Sequence, residues 1–405
     1  MGLYVLNIMH KQFQGKTVLV TGGSGFIGGR LVEVLHRDAG AKVRAIVNNP
    51  ANALRMARLG VEFVLSDITS PEAMAAAVEG CDYVFHCAYG KSGDLGEQRR
   101  VTVEGTRVLA SAAQTAGVSR FVNLSTAAVY GITPDGVADE TLKRDPAGWH
   151  YGVVKLEAEK VLEEMGRSSN LPFTTLQLVG VYGPWGEVFT IGPLKQLASG
   201  RVVLVNDGTG LVNATYVDDV IRAMLLAAIS PKAVGKTFLI KGKGRVTRRQ
   251  FAEAYAAMLG VEDAFVGMSP QEIRKQVRLQ RSGNLRRLLP SAANSLRFDA
   301  SFREAFAGSK AGSVFQTVRK WLPEAMVDRL KGTPPLASDF GGDANVIQRP
   351  LIFPAEMMIP RLAAKTEFNC NKARELIGYE PKFDLDTGMK LTKEWAQWAG
   401  LLEMD

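Results

Sequence analysis

Short apolar runs and helical periodicities alternate through the first half of the chain. The β-branched run "KTVLVT" at 16–21 predicts a strand, and "FIGGRLVEVLHRD" at 26–38 spaces its apolar residues along one helix face. Strands are predicted at 42–47 and 62–65, then a helix over 71–80 with Pro71 near its start, then a strand over 82–87. A long helix over about 97–116, a strand at 120–125, a helix opening around residue 151 and a strand at 173–179 complete the series. Parallel strands joined through helices need right-handed crossovers, so this order predicts a parallel sheet with helices on both faces. The fold class expected is a doubly wound (Rossmann) α/β domain. After about residue 180 the alternation loosens. Helices at 217–229 and 247–259 flank a strand near 236–240; a later helix is closed by Gly378 and a last one covers about 385–399.

"VLVTGGSGFIGGR" at 18–30 places Gly22, Gly25 and Gly28 directly after the first strand and into the first helix. That context suits a dinucleotide pyrophosphate. Gly22 permits a tight turn, Gly25 lets backbone N–H groups approach the phosphates, and Gly28 lets the helix pack closely on the sheet. The helix N-terminus adds partial positive charge. Some twenty residues further on, at the position that reads the adenosine ribose, the chain has "AIVNNP", with Asn48 and Asn49. Asn can bond a ribose hydroxyl but cannot neutralise a 2′-phosphate, which favours NAD over NADP; Arg30 and Arg44 are the residues that could reverse this.

The GxxGxxG spacing of "TGGSGFIG" resembles the extended short-chain dehydrogenase/reductase superfamily, in its NAD-dependent epimerase/dehydratase branch. The resemblance implies that the cofactor lies on Gly22, Gly25, Phe26, Ile27 and Gly28. It implies that Asp67 and Ile68 of "LSDITSPEAM" border the adenine and that Ala88 of "VFHCAYG" lines the cofactor. His86 reads as a packed strand residue. Thr102 stands where the family usually has Asn, which puts one polar contact to the central sheet in question. "FVNLSTAAVYG" at 121–131 resembles the family's fifth strand and the turn after it, which puts the catalytic hydroxyl at Thr126, with Ser125 as a possible substitute. Twenty-five residues beyond, in "WHYGVVKLEAEK", come Tyr151 and Lys155.

Residues four apart share one helix face, so the phenol and the ammonium can lie together. A phenol normally titrates near 10, and a nearby cation favours its ionised form. The resemblance then assigns Tyr151 to proton exchange, Lys155 to the nicotinamide ribose, and Thr126 to the substrate oxygen. "LVGVYGPWG" (178–186), "ATYVDDVIRAMLLA" (214–227) and the segment 368–398 also resemble the family. The chain accordingly divides into an NAD(P)-binding domain at 14–180 and a mainly substrate-binding α/β region at 181–405, the latter with a basic insertion at about 262–365.

Composition and charge narrow the picture. Over 405 residues, apolar content of 46% and charged content of 22% suit an ordinary globular protein. No apolar run is long enough for a spanning helix, and the N-terminus lacks the pattern of a secretory signal. Cys81, Cys87 and Cys370 are odd in number and not spaced as metal ligands, so reduced thiols and a cytoplasmic location are expected, with no metal. Residues 272–331 hold thirteen Lys or Arg against five acids and so carry the whole net charge of +8. This segment reads as a helical lid or oligomer contact, or as an interfacial helix on acidic lipid. No motif accompanies it that would suggest nucleic acid. The resemblance implies a homodimer.

For the substrate, departures from the family matter. Ala127 and Ala128 replace the acid pair with which nucleotide-sugar 4,6-dehydratases eliminate water. Val212 and Asn213 stand where nucleotide-sugar epimerases often have a diphosphate-holding Arg, and Gln177 replaces the common Arg of "RPxxVYGP". The first expectation is an NAD(P)-dependent epimerase or oxidoreductase acting on a sugar, possibly nucleotide-linked. The alternative is a reductase or dehydrogenase of an apolar alcohol or ketone, because 60–88 is similar to the dihydroflavonol reductase and 3β-hydroxysteroid dehydrogenase branch.

Overall fold

The computed structural model describes residues 10–282 and 349–402, apart from residues 50–52, 54 and 92. Most of the basic segment, from residue 283 to 331, lies outside the described residues, and the possible lipid contact falls largely there.

Seven strands form one parallel sheet: β1 (Thr17–Thr21), β2 (Lys42–Val47), β3 (Glu62–Leu65), β4 (Tyr83–His86), β5 (Arg120–Thr126), β7 (Phe173–Leu178) and β11 (Lys236–Ile240). Their spatial order is β11-β7-β5-β4-β1-β2-β3. β1 and β4 are the pair at which the order reverses, the place beyond the C-terminal strand ends where open α/β sheets bind their ligands. The seventh strand comes from beyond residue 180, so the sheet draws on both sequence regions.

The period of two along each strand explains the two cores. Val18 and Val20 point to one face, where they meet Leu31 of the first helix, Leu35 of the π turn that follows it, and Val220, Ile221 and Met224. Leu19 points to the other face, with Val84, Phe121, Leu109, Ala113 and Leu162. Both faces are dry, which is why the central strands read as unbroken apolar runs. Each buried Val or Leu contributes roughly 1.5–3 kcal/mol.

The helices are α1 (Phe26–Glu33), α2 (Pro71–Val78), α3 (Leu95–Arg99), α4 (Gly105–Thr115), α5 (His150–Ser168), α6 (Gly192–Ser199), α7 (Val217–Ile229), α8 (Arg248–Leu259), α9 (Pro270–Ser282), α10 (Ile359–Ala363), α11 (Asn371–Ile377) and α12 (Leu385–Trp398). Local chemistry sets their starts. Ser70 accepts from Ala73 N–H ahead of α2, Thr247 and Gln250 form a reciprocal capping box on α8, and Asp384 caps α12. The helix expected at 97–116 is α3 and α4 joined by a wider π turn at Arg100–Glu104.

Short pairings that the sequence pattern did not reveal hold the second region together and tie it to the first. β6 (Gly136–Ala138) pairs with β14 (Thr366–Phe368) and β8 (Val181–Tyr182) with β10 (Thr215–Tyr216). β9 (Arg201–Val205) lies between β12 (Phe265–Met268) and β13 (Leu351–Ile352). An aromatic core of Tyr182, Tyr216, Phe251 and Tyr255 packs beneath α12.

Candidate active site

Because the sheet is parallel, the segments that follow β1 to β5 all emerge at one edge. The glycine loop follows β1, Asn48 follows β2, Asp67 and Ile68 follow β3, and Ala88 follows β4. Thr126 ends β5.

The loop is shaped for close approach. Gly22 has φ +63°, and a Cβ there would lie 2.9 Å from Ala88 N. A Cβ on Gly28 would lie 2.2 Å from Gly22 O, against backbone that cannot move aside. No side chain caps α1 at Gly25, so the leading N–H groups at Phe26, Ile27 and Gly28 are left for a ligand. Thr21 Oγ1 accepts from Cys87 and Ala88 N–H, both at 3.2 Å, and this fixes Ala88 over the loop. These residues fit a dinucleotide pyrophosphate.

Asn48 and Asn49 are exposed at the end of β2. Both arginines that could oppose NAD have partners within the chain. Arg44 is committed to Glu62 and to the carbonyls of Ala77 and Glu79, and Arg30 is committed to Asp218 at 2.6 Å and to Glu33. Asp67 accepts from Thr69 N–H and from Arg100, which hold its carboxyl below the usual range. Ile68 is buried against Gly105.

His86 is buried and lies between Thr21 Oγ1 at 2.8 Å and Thr106 Oγ1 at 2.9 Å. Burial, with Lys155 adding to it, pushes His86 down to about 3, so it is a neutral packing residue. Thr102 is buried, and its Oγ1 accepts from Gly90 N–H at 2.9 Å, in the loop after β4 and not in the sheet itself.

Tyr151 and Lys155 lie in the first turns of α5. Lys155 is 5% exposed, and its Nζ donates to the carbonyl of Leu124 in β5 at 2.9 Å. That bond brings the ammonium to the end of the strand that carries Thr126. Tyr89, directly after Ala88, lies against both residues: Lys155 Nζ is 5.1 Å from the centre of its ring, and the Tyr151 ring is 5.5 Å away. Thr126 is half-buried, and its Oγ1 accepts from Ala128 N–H at 3.2 Å, which leaves its hydroxyl proton to donate.

Ser125 is not equivalent to Thr126. Its hydroxyl donates to Glu159, which is 1% exposed one turn beyond Lys155. Gln177 Nε2 donates to both Glu159 oxygens, at 3.0 and 3.1 Å, and Arg144 supplies the cation at 2.9 Å. Tyr130 donates to Gln177 Oε1 at 2.5 Å. Gln177 thus serves a buried network beneath the site. Asn213 is likewise structural: it donates to Thr366 O and accepts from Phe368 N–H.

The profile of the NAD-dependent epimerase/dehydratase family matches residues 18–240. The chain belongs to that family. It is an enzyme of the extended short-chain dehydrogenase/reductase type. The 3β-hydroxysteroid dehydrogenase/Δ5→4-isomerase of Mycobacterium tuberculosis is 31% identical over 251 residues, which are 58% of this chain and 67% of that protein. The 2-alkyl-3-oxoalkanoate reductase of Stenotrophomonas maltophilia is 29% identical over 254 residues, 60% of this chain and 76% of that protein. Among solved structures, the UDP-glucuronic acid 4-epimerase of Bacillus cereus, in complex with UDP-glucuronic acid and NAD, superposes with a TM-score of 0.65. It covers 95% of this chain and 100% of its own at 19% identity, a likeness of fold.

Sequence reasoning missed Tyr89, the Leu124 carbonyl and the Glu159 network. Tyr89 was within reach, being next to Ala88. Among the described residues no cluster of His, Cys, Asp or Glu could hold a metal, and no helix is long and apolar enough to cross a membrane. The three cysteines are free.

Proposed function

We propose that this chain is an NAD(P)-dependent oxidoreductase that acts at a secondary hydroxyl or the corresponding ketone, with Tyr151 exchanging the proton. The observation that carries this reading is the buried ammonium of Lys155, tied to β5 at Leu124 and one helical turn from Tyr151. Gly22, Gly25, Phe26, Ile27 and Gly28 would hold the pyrophosphate, Asn48 the adenosine ribose, Asp67 and Ile68 the adenine, and Lys155 and Tyr151 the nicotinamide ribose. Ala88 would line the cofactor. When bound, the nicotinamide supplies a hydride donor or acceptor. Thr126 donates to the substrate oxygen and orients it. Tyr151 gives its phenolic proton to that oxygen on reduction and takes it back on oxidation. The Lys155 charge favours the phenolate that this requires. The committed positions of Arg30 and Arg44 support NAD over NADP.

For the net reaction, the reductase or dehydrogenase reading is favoured. The curated relatives cited act, by their names, on hydroxysteroids and oxoalkanoates, and Asn213 is engaged in holding β14. A sugar epimerase is the second reading, favoured by the family profile. Mass spectrometry of small molecules released from the denatured protein separates them. Little retained cofactor, with reversible refilling by NADH, is expected. Near-stoichiometric retained NAD⁺ would instead mean a cofactor reduced and reoxidised within one turnover, and would sink the reductase reading.

A further inference from the structure

A buried ammonium needs something to favour its charge. Lys155 is buried, and Glu159, one turn further along α5, faces Arg144, Ser125 and Gln177 instead. What the ammonium does meet is the Leu124 carbonyl at 2.9 Å and the face of the Tyr89 ring, whose centre is 5.1 Å away. The face of an aromatic ring carries partial negative charge, and it attracts a cation most strongly where water is excluded. Beside Lys155 also lie two groups on and after β4 that bring no charge at neutral pH. Burial pushes the Cys87 thiol up to about 12 and the His86 imidazole down to about 3. On its own helix, Tyr151 is the remaining titratable neighbour.

Tyr89 is held in this place from both sides. Ala88 N–H donates to Thr21 Oγ1 at 3.2 Å, and Gly90 N–H donates to Thr102 Oγ1 at 2.9 Å. Both threonines are buried, and a chain of bonds joins them. Thr106 Oγ1 donates to Thr102 O at 2.5 Å, so it accepts from His86 Nε2–H at 2.9 Å, and His86 Nδ1 accepts from Thr21 Oγ1 at 2.8 Å. A Cβ on Gly90 would lie 3.0 Å from Gln98 Cα, so the loop also lies tight against α3. The backbone that carries Tyr89 is thus tied to β1, to α3 and to the π turn before α4. Its half-buried ring lies against both members of the helical pair, the Tyr151 ring being 5.5 Å away. Lys91 also lies over the Tyr89 ring, at 5.7 Å, but it is exposed, where such a contact is worth less.

We propose that Tyr89 is a positioning residue for the reaction: its ring face holds the Lys155 ammonium beside Tyr151 and favours the charged form. This deepens the oxidoreductase reading and rests on Lys155 being the cation that serves the nicotinamide ribose and Tyr151. Lys155 thereby keeps its charge in a dry site without a carboxylate salt bridge, which would compete with the ribose hydroxyls for its protons.

The test is fluorescence titration of the full chain with NADH at a series of pH values, from neutral to about 10. An ammonium that holds the ribose loses a donor on deprotonation, so NADH affinity is expected to fall as pH rises through about 8, where Lys155 titrates. Tyr89→Leu keeps an apolar side chain without an aromatic face, and its fall is expected about 0.5–1.5 pH units lower. Tyr89→Phe keeps the face and should follow wild type. A ring that only packs would cost affinity equally at every pH. A fall in Y89L at the wild-type pH, or one in Y89F displaced as far as in Y89L, would overturn the proposal. Should Y89L not fold, trifluorophenylalanine incorporated at position 89 takes its place. It has nearly the shape of Phe and an electron-poor face, so it should move the fall the same way, and no displacement counts against the ring. Lys155→Met keeps the two readings apart: it should bind NADH weakly, with no fall around pH 8. A fall like that of wild type in K155M, or none in wild type, would remove the cofactor role of Lys155 and the proposal with it. A flat K155M beside an undisplaced Y89L would remove the role of Tyr89 alone.

Discussion

Lys155 is pulled down to about 8, burial being the main cause and Cys87 and Glu159 opposing it. Two opposite pH dependences follow. Activity that needs the ammonium is expected to fall as pH rises through about 8, read from kcat/KM. Stability moves the other way. Between about 8 and the ordinary 10.5, an unfolded Lys155 binds a proton that the folded one lacks, so stability rises with pH across that window. Below 8 the buried charge is a standing cost. Lys155→Met is therefore expected to match or exceed wild-type stability at pH 7, by an amount on the order of 1–3 kcal/mol, with the gap closing toward pH 10. Urea melts at several pH values would read this, and activity should be lost throughout. Gly28→Ala tests the other half of the site. Its Cβ would meet Gly22 O at 2.2 Å, so the loop must deform, and NADH fluorescence titration is expected to show binding lost or weakened at least about a hundredfold. Both sites were legible because each is local: a glycine spacing in one turn, and a four-residue spacing on one helix. Tyr89 stood beside the predicted Ala88, but its contacts with Tyr151 and Lys155, like that of Trp149 with Tyr151, are made by the folded chain and left no local mark in the sequence.

At the scale of elements, the second region depends on polar clips that replace long strands. Asp219 in α7 accepts from Lys382 N–H at 2.7 Å and Phe383 N–H at 3.1 Å, and so ties the approach to α12 onto α7. Burial pushes its carboxyl up to about 6, against the two backbone bonds. Asp219→Ala would take the acceptor from both backbone donors and is expected to cost about 1–3 kcal/mol in chemical denaturation. Asp219→Asn, which keeps one acceptor oxygen, should cost less. The motif "YVDD" was visible in the sequence as a helix start. That its second acid serves a segment more than 160 residues away was not, because the partners are backbone N–H groups, which every sequence has.

For the molecule as a whole, the sheet and the C-terminal segment are interdependent. β11 completes the sheet from beyond residue 180, α11 packs on that side, and β14 pairs with β6. Ala373, Ile377 and Tyr379 are buried in the same core as β1 and β5. Ending the chain at residue 365 is expected to lower Tm by more than about 10 °C or to abolish the cooperative transition, followed by circular dichroism. A shortened protein that melts like the full chain would show that the C-terminal segment is an accessory to the fold.

Two kinds of information separate here for a physical reason. Sequence alone determined the doubly wound class, the order of the sheet strands and main helices to residue 180, the glycine-rich turn after β1 and the shared helix of Tyr151 and Lys155, because period, spacing and turn chemistry act over a few neighbouring residues. Strands as short as β6, β8, β10, β13 and β14 have too few residues to show a period, so only the folded chain decided those pairings. It also decided that Ser125 is spent on Glu159 while Thr126 keeps its proton, since burial and long-range partners set what a hydroxyl has left to donate.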